Sequence, residues 1–313
     1  MPIGLGLAAS HAPNMFLPPE EWGPRYIGAI DDVPQPLAAQ SETVEVRQGY
    51  AQRIEAGWNA LRQCITDYKP DRLIMVTDDH SEMFDETLCN PNIAMFLGEK
   101  GIGTLNLRNL KGMHEGNTEL VSFDCDPELA EFVATGLVER DFDLTVTRSK
   151  EAKSIGPRNR GVGHGFTRTV PKLTPDLDVP SVLIWLNCYY DPMPTARRCL
   201  ALGRAIAEIV KDRKERIAFI GTGGLSHDPR GPRAGWIDEP LDRSVLKAFA
   251  DGQPERLEHL FSLKSDTLHG GTGEIRNWLA VGGAMGNTKA KIIDYMPIHH
   301  MITGIAFATW QPE

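Results

Sequence analysis

Nine histidines are spread along this 313-residue chain, and three of them hold the same position relative to its hydrophobic pattern. His11 comes just after the apolar run Ile3–Ala9, His80 after Arg72–Thr77, and His227 after Ile217–Gly221. Imidazole changes charge near neutral pH, so it serves as a metal ligand or a proton carrier. One histidine behind one run is as readily a solvated or satisfied structural residue. Three in one topological position suggest a shared metal or acid–base site, because ligands of open α/β sheets bind beyond the carboxyl ends of the strands. Position alone does not separate metal ligands from proton carriers.

Other residues can join such a site. Glu274 follows Gly270-Gly271-Thr272-Gly273 and opens a helical pattern. A first-turn glutamate suits the helix dipole without any metal. It is equally placed to be a metal carboxylate, since two imidazoles and one carboxylate form the facial set that suits non-haem Fe(II) and leaves coordination positions open. His164, in Gly161-Val162-Gly163-His164-Gly165-Phe166, is either incidental to a flexible loop or a second acid–base group. Tyr295 and the His299-His300 pair are candidate substrate contacts. Neighbours on a strand point to opposite faces, so one of the two histidines at most reaches a common pocket. His114, His259 and His269 have no comparable setting and read as surface residues. Gly221-Thr222-Gly223-Gly224 lacks both the Gly-Lys-Ser/Thr continuation and the GxGxxG spacing, so nucleotide binding is not expected.

The elements that would position these residues follow from periodicity. Ile3–Ala9, Arg72–Thr77, Val182–Leu186 and Ile217–Gly221 are continuous apolar runs, the pattern of strands covered on both faces. Val44–Tyr68, Ala196–Lys214, Leu241–Ala250, Pro254–Leu263 and Glu274–Ala284 read as helices, with Thr195 as an N-cap. The alternation predicts an α/β protein, one domain over residues 1–313, with a central mostly parallel or mixed sheet flanked by helices. Residues 12–43 and 88–163 are less regular and rich in Pro, Gly and Asn, and read as excursions covering an active site. The stretch from Arg148 to Arg168 is basic, as a solvated loop or as a patch that attracts an anionic substrate.

Composition narrows the classes. With 41% hydrophobic and 24% charged residues the chain is globular rather than disordered. A net charge of −9 argues against a nucleic-acid partner, which needs a basic face. Five cysteines, an odd number with no CxxC spacing, point to a reducing compartment without a disulfide framework. The N-terminus lacks a signal-peptide pattern. No apolar run nears the roughly 18–20 residues needed to span a bilayer, so a cytoplasmic protein without a membrane partner is expected.

Taken in order, Ser10-His11-Ala12-Pro13, Asp79-His80, Gly163-His164-Gly165-Phe166, Gly223-Gly224-Leu225-Ser226-His227 and Glu274-Ile275-Arg276-Asn277-Trp278 resemble the LigB-type (class III) extradiol ring-cleavage dioxygenases. The resemblance runs from Leu5 to about Trp310. Pro18-Pro19-Glu20-Glu21-Trp22-Gly23 and the ending from Asp294-Tyr295 to Thr309-Trp310 look like the single-chain members that act on gallate or 3-O-methylgallate. The resemblance implies Fe(II) on His11, His80 and Glu274, with His227 and His164 as acid–base residues. It implies opening of a catechol-type aromatic acid (gallate, 3-O-methylgallate or protocatechuate-like) with both atoms of O2. It also implies a homodimer, and some relatives add a second, lid-forming subunit. The same residues leave three other readings: an aminophenol-cleaving relative, a Zn2+ hydrolase with a bound water, or a metal-binding relative without activity.

Overall fold

A strand such as Ile3–Ala9 has no polar face to give to water, so it needs cover on both sides. The computed structural model, which describes residues 2–30, 32–105, 120–156, 160–229, 231–263 and 265–312, supplies that cover. His114 and Arg158 lie outside the described residues. In chain order the first half contains β1 (Ile3–Ala9), α1 (Trp22–Ile30), α2 (Leu37–Gln40), α3 (Val44–Tyr68), β2 (Arg72–Asp78), β3 (Ile93–Phe96), β4 (Lys100–Thr104), β5 (Leu120–Asp124), α4 (Pro127–Val138) and β6 (Thr145–Thr147). The second half contains α5 (His164–Leu173), β7 (Ser181–Leu186), α6 (Ala196–Val210), β8 (Ile217–Thr222), α7 (Glu239–Ala250), α8 (Ile275–Met285), β9 (Ala290–Ile298) and β10 (Thr303–Trp310).

Eight of the described strands form one sheet in the order β6-β3-β7-β2-β8-β1-β10-β9. β7, β2, β8 and β1 run parallel. β3 is antiparallel to β7, and β10 to β1, so the sheet is mixed around a parallel centre. Side chains of β2 divide between two cores. Ile74 and Val76 pack with Leu200 of α6 and Val281 of α8. Leu73 and Met75 pack with Trp58 of α3 and Phe166 of α5. Full burial of such a side chain stabilises by about 1.5–3 kcal/mol, against about 0.5–1.5 kcal/mol net for a typical hydrogen bond. The apolar layers, more than polar contacts, therefore fix where the strand ends lie.

Helix ends follow local chemistry. Thr43 caps α3 by accepting from the Val46 N–H, and Lys69 closes it with φ 52 before Pro70. Thr195 caps α6 by accepting from the Arg198 N–H. α6 stops at Val210, short of the expected Lys214, where Arg213 turns aside to pair with Glu215. Residues 254–263, expected as a helix, form two short 3-10 turns. Only Pro254 and Leu257 are buried there, too few to support a full helical stripe.

The described residues of the stretch 88–163 are more regular than its composition suggested. β3 and β6 extend the main sheet, β4 and β5 form a separate ribbon, and α4 packs into one core. The basic charges of this region are largely spent internally. Arg148 pairs with Glu131, Lys150 with Glu99, and Arg160 with Glu82. Arg168 is buried in α5 and donates to the carbonyls of Leu105 and His11.

Candidate metal centre

Because β1, β2, β7 and β8 run in one direction, the loops after them gather at one edge. His11, His80 and His227, from three of these loops, meet Glu274 there. Glu274 ends the 3-10 turn Gly270–Glu274 that leads into α8. The glycines of that turn answer to close approach. A Cβ on Gly271 would lie 1.9 Å from His227 Nε2, and one on Gly273 would lie 1.9 Å from the Cys188 carbonyl oxygen.

The donor atoms converge. His11, Asp78 and Glu274 are buried, and each offers a ligand atom within 4.8 Å of the others. His11 Nε2 lies 3.6 Å from Asp78 Oδ1 and 3.9 Å from Glu274 Oε2. His80 Nε2 stands 2.6 Å from Asp78 Oδ2 and 3.4 Å from Glu274 Oε1. His11 Nε2 is a buried atom with no hydrogen-bond partner among the described residues, while His80 Nε2 and Asp78 Oδ2 face each other as an ion pair without hydrogen-bond geometry. Orphaned buried polar atoms are costly. His11 Nε2 and the donor atoms gathered around it fit a cation that they would bind together. The four side chains contain the two-imidazole, one-carboxylate set that suits non-haem Fe(II), with a second carboxylate beside it.

Hydrogen bonds behind these atoms set their tautomers. Thr222 Oγ1 donates to Thr77 Oγ1 at 3.0 Å, which leaves it to accept from His11 Nδ1 at 3.1 Å. His11 Nε2 is then the lone-pair nitrogen at the centre. His227 Nδ1 donates to the Leu225 carbonyl at 2.8 Å, so in the neutral ring Nε2 is the lone-pair nitrogen, 3.3 Å from Glu274 Oε1. His164, the first residue of α5, gives both its backbone N–H and its Nδ1–H to Glu82 Oε2, at 2.8 and 2.7 Å. Its ring centroid is 4.9 Å from those of His11 and His80. Asn277 of α8 donates to the Thr222 carbonyl and to Asp78, tying β8 to β2 behind the site.

Electrostatics separate the histidines. Burial pushes His11 and His164 down to about 4, so both are neutral near pH 7. Burial also acts against a charged His80, yet Asp78 and Glu274 outweigh it and hold His80 up to about 10. His227 is raised as well, with burial opposed by the Glu274 carboxylate. Burial would raise Glu274, but the His227 and His80 imidazoles hold it well below the usual carboxylate range. Without a metal, a proton thus occupies the place that a cation would take.

The other expected site residues lie elsewhere. Tyr295 donates to Asp242 Oδ2 at 2.8 Å, and Asp242 in turn accepts from the backbone and hydroxyl of Ser226, next to His227. His299 Nδ1 is 2.9 Å from the Gly235 carbonyl, and His300 Nδ1 is 2.6 Å from Glu42 Oε2. Each of the three side chains thus has a hydrogen-bond partner within the protein. His259 and His269 are exposed. A small open depression borders His227, with Ser226, Asp228, Arg233, Trp236 and Thr272 among its walls.

Three site residues were not singled out in the sequence: Asp78, Glu82 and Tyr189. Asp78 is the last residue of β2, and Tyr189 follows β7, the fourth apolar run. The strand-end rule that raised the histidines would have reached both. Glu82 carries no comparable signal, because its role depends on α5 arriving from 82 residues away.

Comparison with known proteins bears on the same residues. The family described as the catalytic LigB subunit of aromatic ring-opening dioxygenase matches residues 35–308. A 2,3-dihydroxyphenylpropionate/2,3-dihydroxicinnamic acid 1,2-dioxygenase of Photorhabdus laumondii is 30% identical over 200 residues, covering 48% of this chain and 63% of that protein. A Rhodococcus protein of the same name is 24% identical over 311 residues, covering 82% and 90%. The gallate dioxygenase of Pseudomonas putida is 29% identical over 186 residues, covering 57% and 51%. The chain thus spans less than two thirds of the Photorhabdus and Pseudomonas proteins. An uncharacterized Escherichia coli K12 protein of solved structure shares the fold at 17% identity and TM-score 0.51, covering 98% of this chain and 99% of its own.

Proposed function

The chain belongs to the LigB family of aromatic ring-opening dioxygenases, and on that premise we propose that it opens the ring of a catechol-type aromatic acid with O2 at a single Fe(II). The observation that carries this is the convergence of the donor atoms of His11, His80 and Asp78 on Glu274. His11, His80 and Glu274 would hold the iron, with Asp78 beside His80. When bound, Fe(II) supplies positive charge for two neighbouring substrate oxygens and a place for O2.

The chain's own residues do the rest. His227 Nε2, a lone pair held by the Leu225 carbonyl behind it, is set to take a hydroxyl proton from the substrate. His164 is the second proton carrier. Glu82 pins its Nδ1–H, leaving Nε2 on the opposite edge of the ring. Burial holds His164 down to about 4, so the ring rests neutral with Nε2 as a hydrogen-bond acceptor. The depression beside His227 carries Arg233 and Trp236 together with Asp228, Asp238 and Asp266, so its charge does not by itself select an acid. Gallate, 3-O-methylgallate and protocatechuate are acids of the catechol type proposed. In this reading residues 1–313 form one catalytic unit that pairs as a homodimer, and residues 12–43 and 88–163 cover the site.

The test is O2 uptake by protein reconstituted anaerobically with Fe(II), against gallate, 3-O-methylgallate, protocatechuate and an aminophenol. Uptake with at least one of the catechol acids is expected. No uptake, with hydrolysis supported by Zn2+ instead, would overturn the reading.

A further inference from the structure

Three of the four parallel strands deliver a histidine to the site, and the fourth delivers a tyrosine. β7 ends at Leu186, and Asn187-Cys188-Tyr189-Tyr190 follows at the same edge. Asn187 shapes that loop. Its Oδ1 accepts from the N–H groups of Tyr189 and Tyr190 at 3.3 and 3.0 Å, and its Nδ2 donates to the Tyr190 carbonyl. The Tyr189 hydroxyl is thereby aimed into the centre. It donates to Glu274 Oε1 and lies 3.3 Å from His227 Nε2. The ring rests on His80, with centroids 4.1 Å apart.

Glu274 is held from two sides. Its Oε2 accepts from the Gly224 N–H, and its Oε1 from Tyr189. A carboxylate with one donor on each oxygen cannot rotate without breaking a bond. The backbone donor is fixed by the fold, so the side-chain donor is the adjustable half of this clamp. Partners of this type set the orientation and basicity of metal ligands.

We propose that Tyr189 is a positioning residue of the metal centre, orienting Glu274 through its hydroxyl and His80 through its ring face. The inference rests on the reading of His80 and Glu274 as ligands. It assigns Tyr189 no contact with the substrate.

Tyr189→Phe removes the hydroxyl and keeps the ring, whereas Tyr189→Leu removes both. The measurement is the dissociation constant for Fe(II), and for Co(II) as a spectroscopic probe, by competition with a chelator. Tyr189→Phe is expected to bind both metals about 10–100-fold more weakly and to alter the Co(II) ligand-field spectrum. Tyr189→Leu should bind more weakly still. The unfolding midpoint of the metal-free Phe variant should match the wild type, which a merely structural role would not allow. Unchanged affinity and spectrum in Tyr189→Phe, with normal binding by the wild type, overturn this inference alone. A wild-type protein that binds neither metal overturns the reading of the site as well.

Discussion

At the scale of residues, the site divides similar imidazoles between two tasks. His11 and His80 point their Nε2 atoms at Asp78 and Glu274, while His227 points its Nε2 at a tyrosine and at the edge of Glu274. His11→Ala or Glu274→Ala is expected to lose the iron, as read by metal analysis after reconstitution. His227→Ala should keep iron and lose about 10²–10⁴-fold in kcat. Normal iron content in both His11→Ala and Glu274→Ala would refute the ligand assignment. The titration of His80 gives a second expectation. Its raised value, about 10, means that the metal-free centre binds a proton which a metal must displace. Its sign is fixed: affinity rises with pH up to about 10, because only neutral imidazole ligates. Calorimetry in buffers of different ionisation enthalpy near pH 8 should show about one proton released per metal ion. No release would show that His80 is not displaced from its protonated state. Histidine positions were legible in the sequence because strand ends are. Asp78 lies one residue past the run Arg72–Thr77, where an acid reads as the start of a loop although β2 still includes it.

At the scale of elements, the parallel strands β1, β2, β7 and β8 and the glycine turn before α8 carry the site. The strands were legible, since continuous apolar runs admit few other structures in a chain with helices between them. The tightness of the glycine turn was not. Its need for glycine comes from His227, 44 residues earlier, which leaves no room for a Cβ on Gly271. Gly271→Ala should therefore displace the His227 ring while leaving His11 and His80 in place. A displacement near 1 Å lowers kcat/KM by about 100-fold, with iron content unchanged. Full activity in Gly271→Ala would mean that the His227 position is not the productive one. The predicted helix at residues 254–263 failed for an element-scale reason. Two buried residues do not support three turns, a shortfall invisible until the neighbouring α8 is in place.

At the scale of the whole molecule, segments far apart in sequence close around the edge of the sheet. Glu42, from the first excursion, accepts from the backbone N–H groups of His299 and His300 near the C-terminus. Gln35 donates to the Ala234 carbonyl, and the Trp236 indole donates to Pro34, beside the depression that borders His227. Tyr295, His299 and His300, the candidate substrate contacts, bond to Asp242, Gly235 and Glu42. No helix among the described residues is long and apolar enough to cross a membrane. The long-range closures could not be read from composition, because each depends on pairing across most of the chain. What the whole assembly is for is tested most directly with isotopically heavy O2. Protein reconstituted with Fe(II) is given the best substrate of the catechol acids, and the product is weighed by mass spectrometry. A ring-opened product carrying two heavy oxygen atoms is expected; a product formed with none would contradict the assignment.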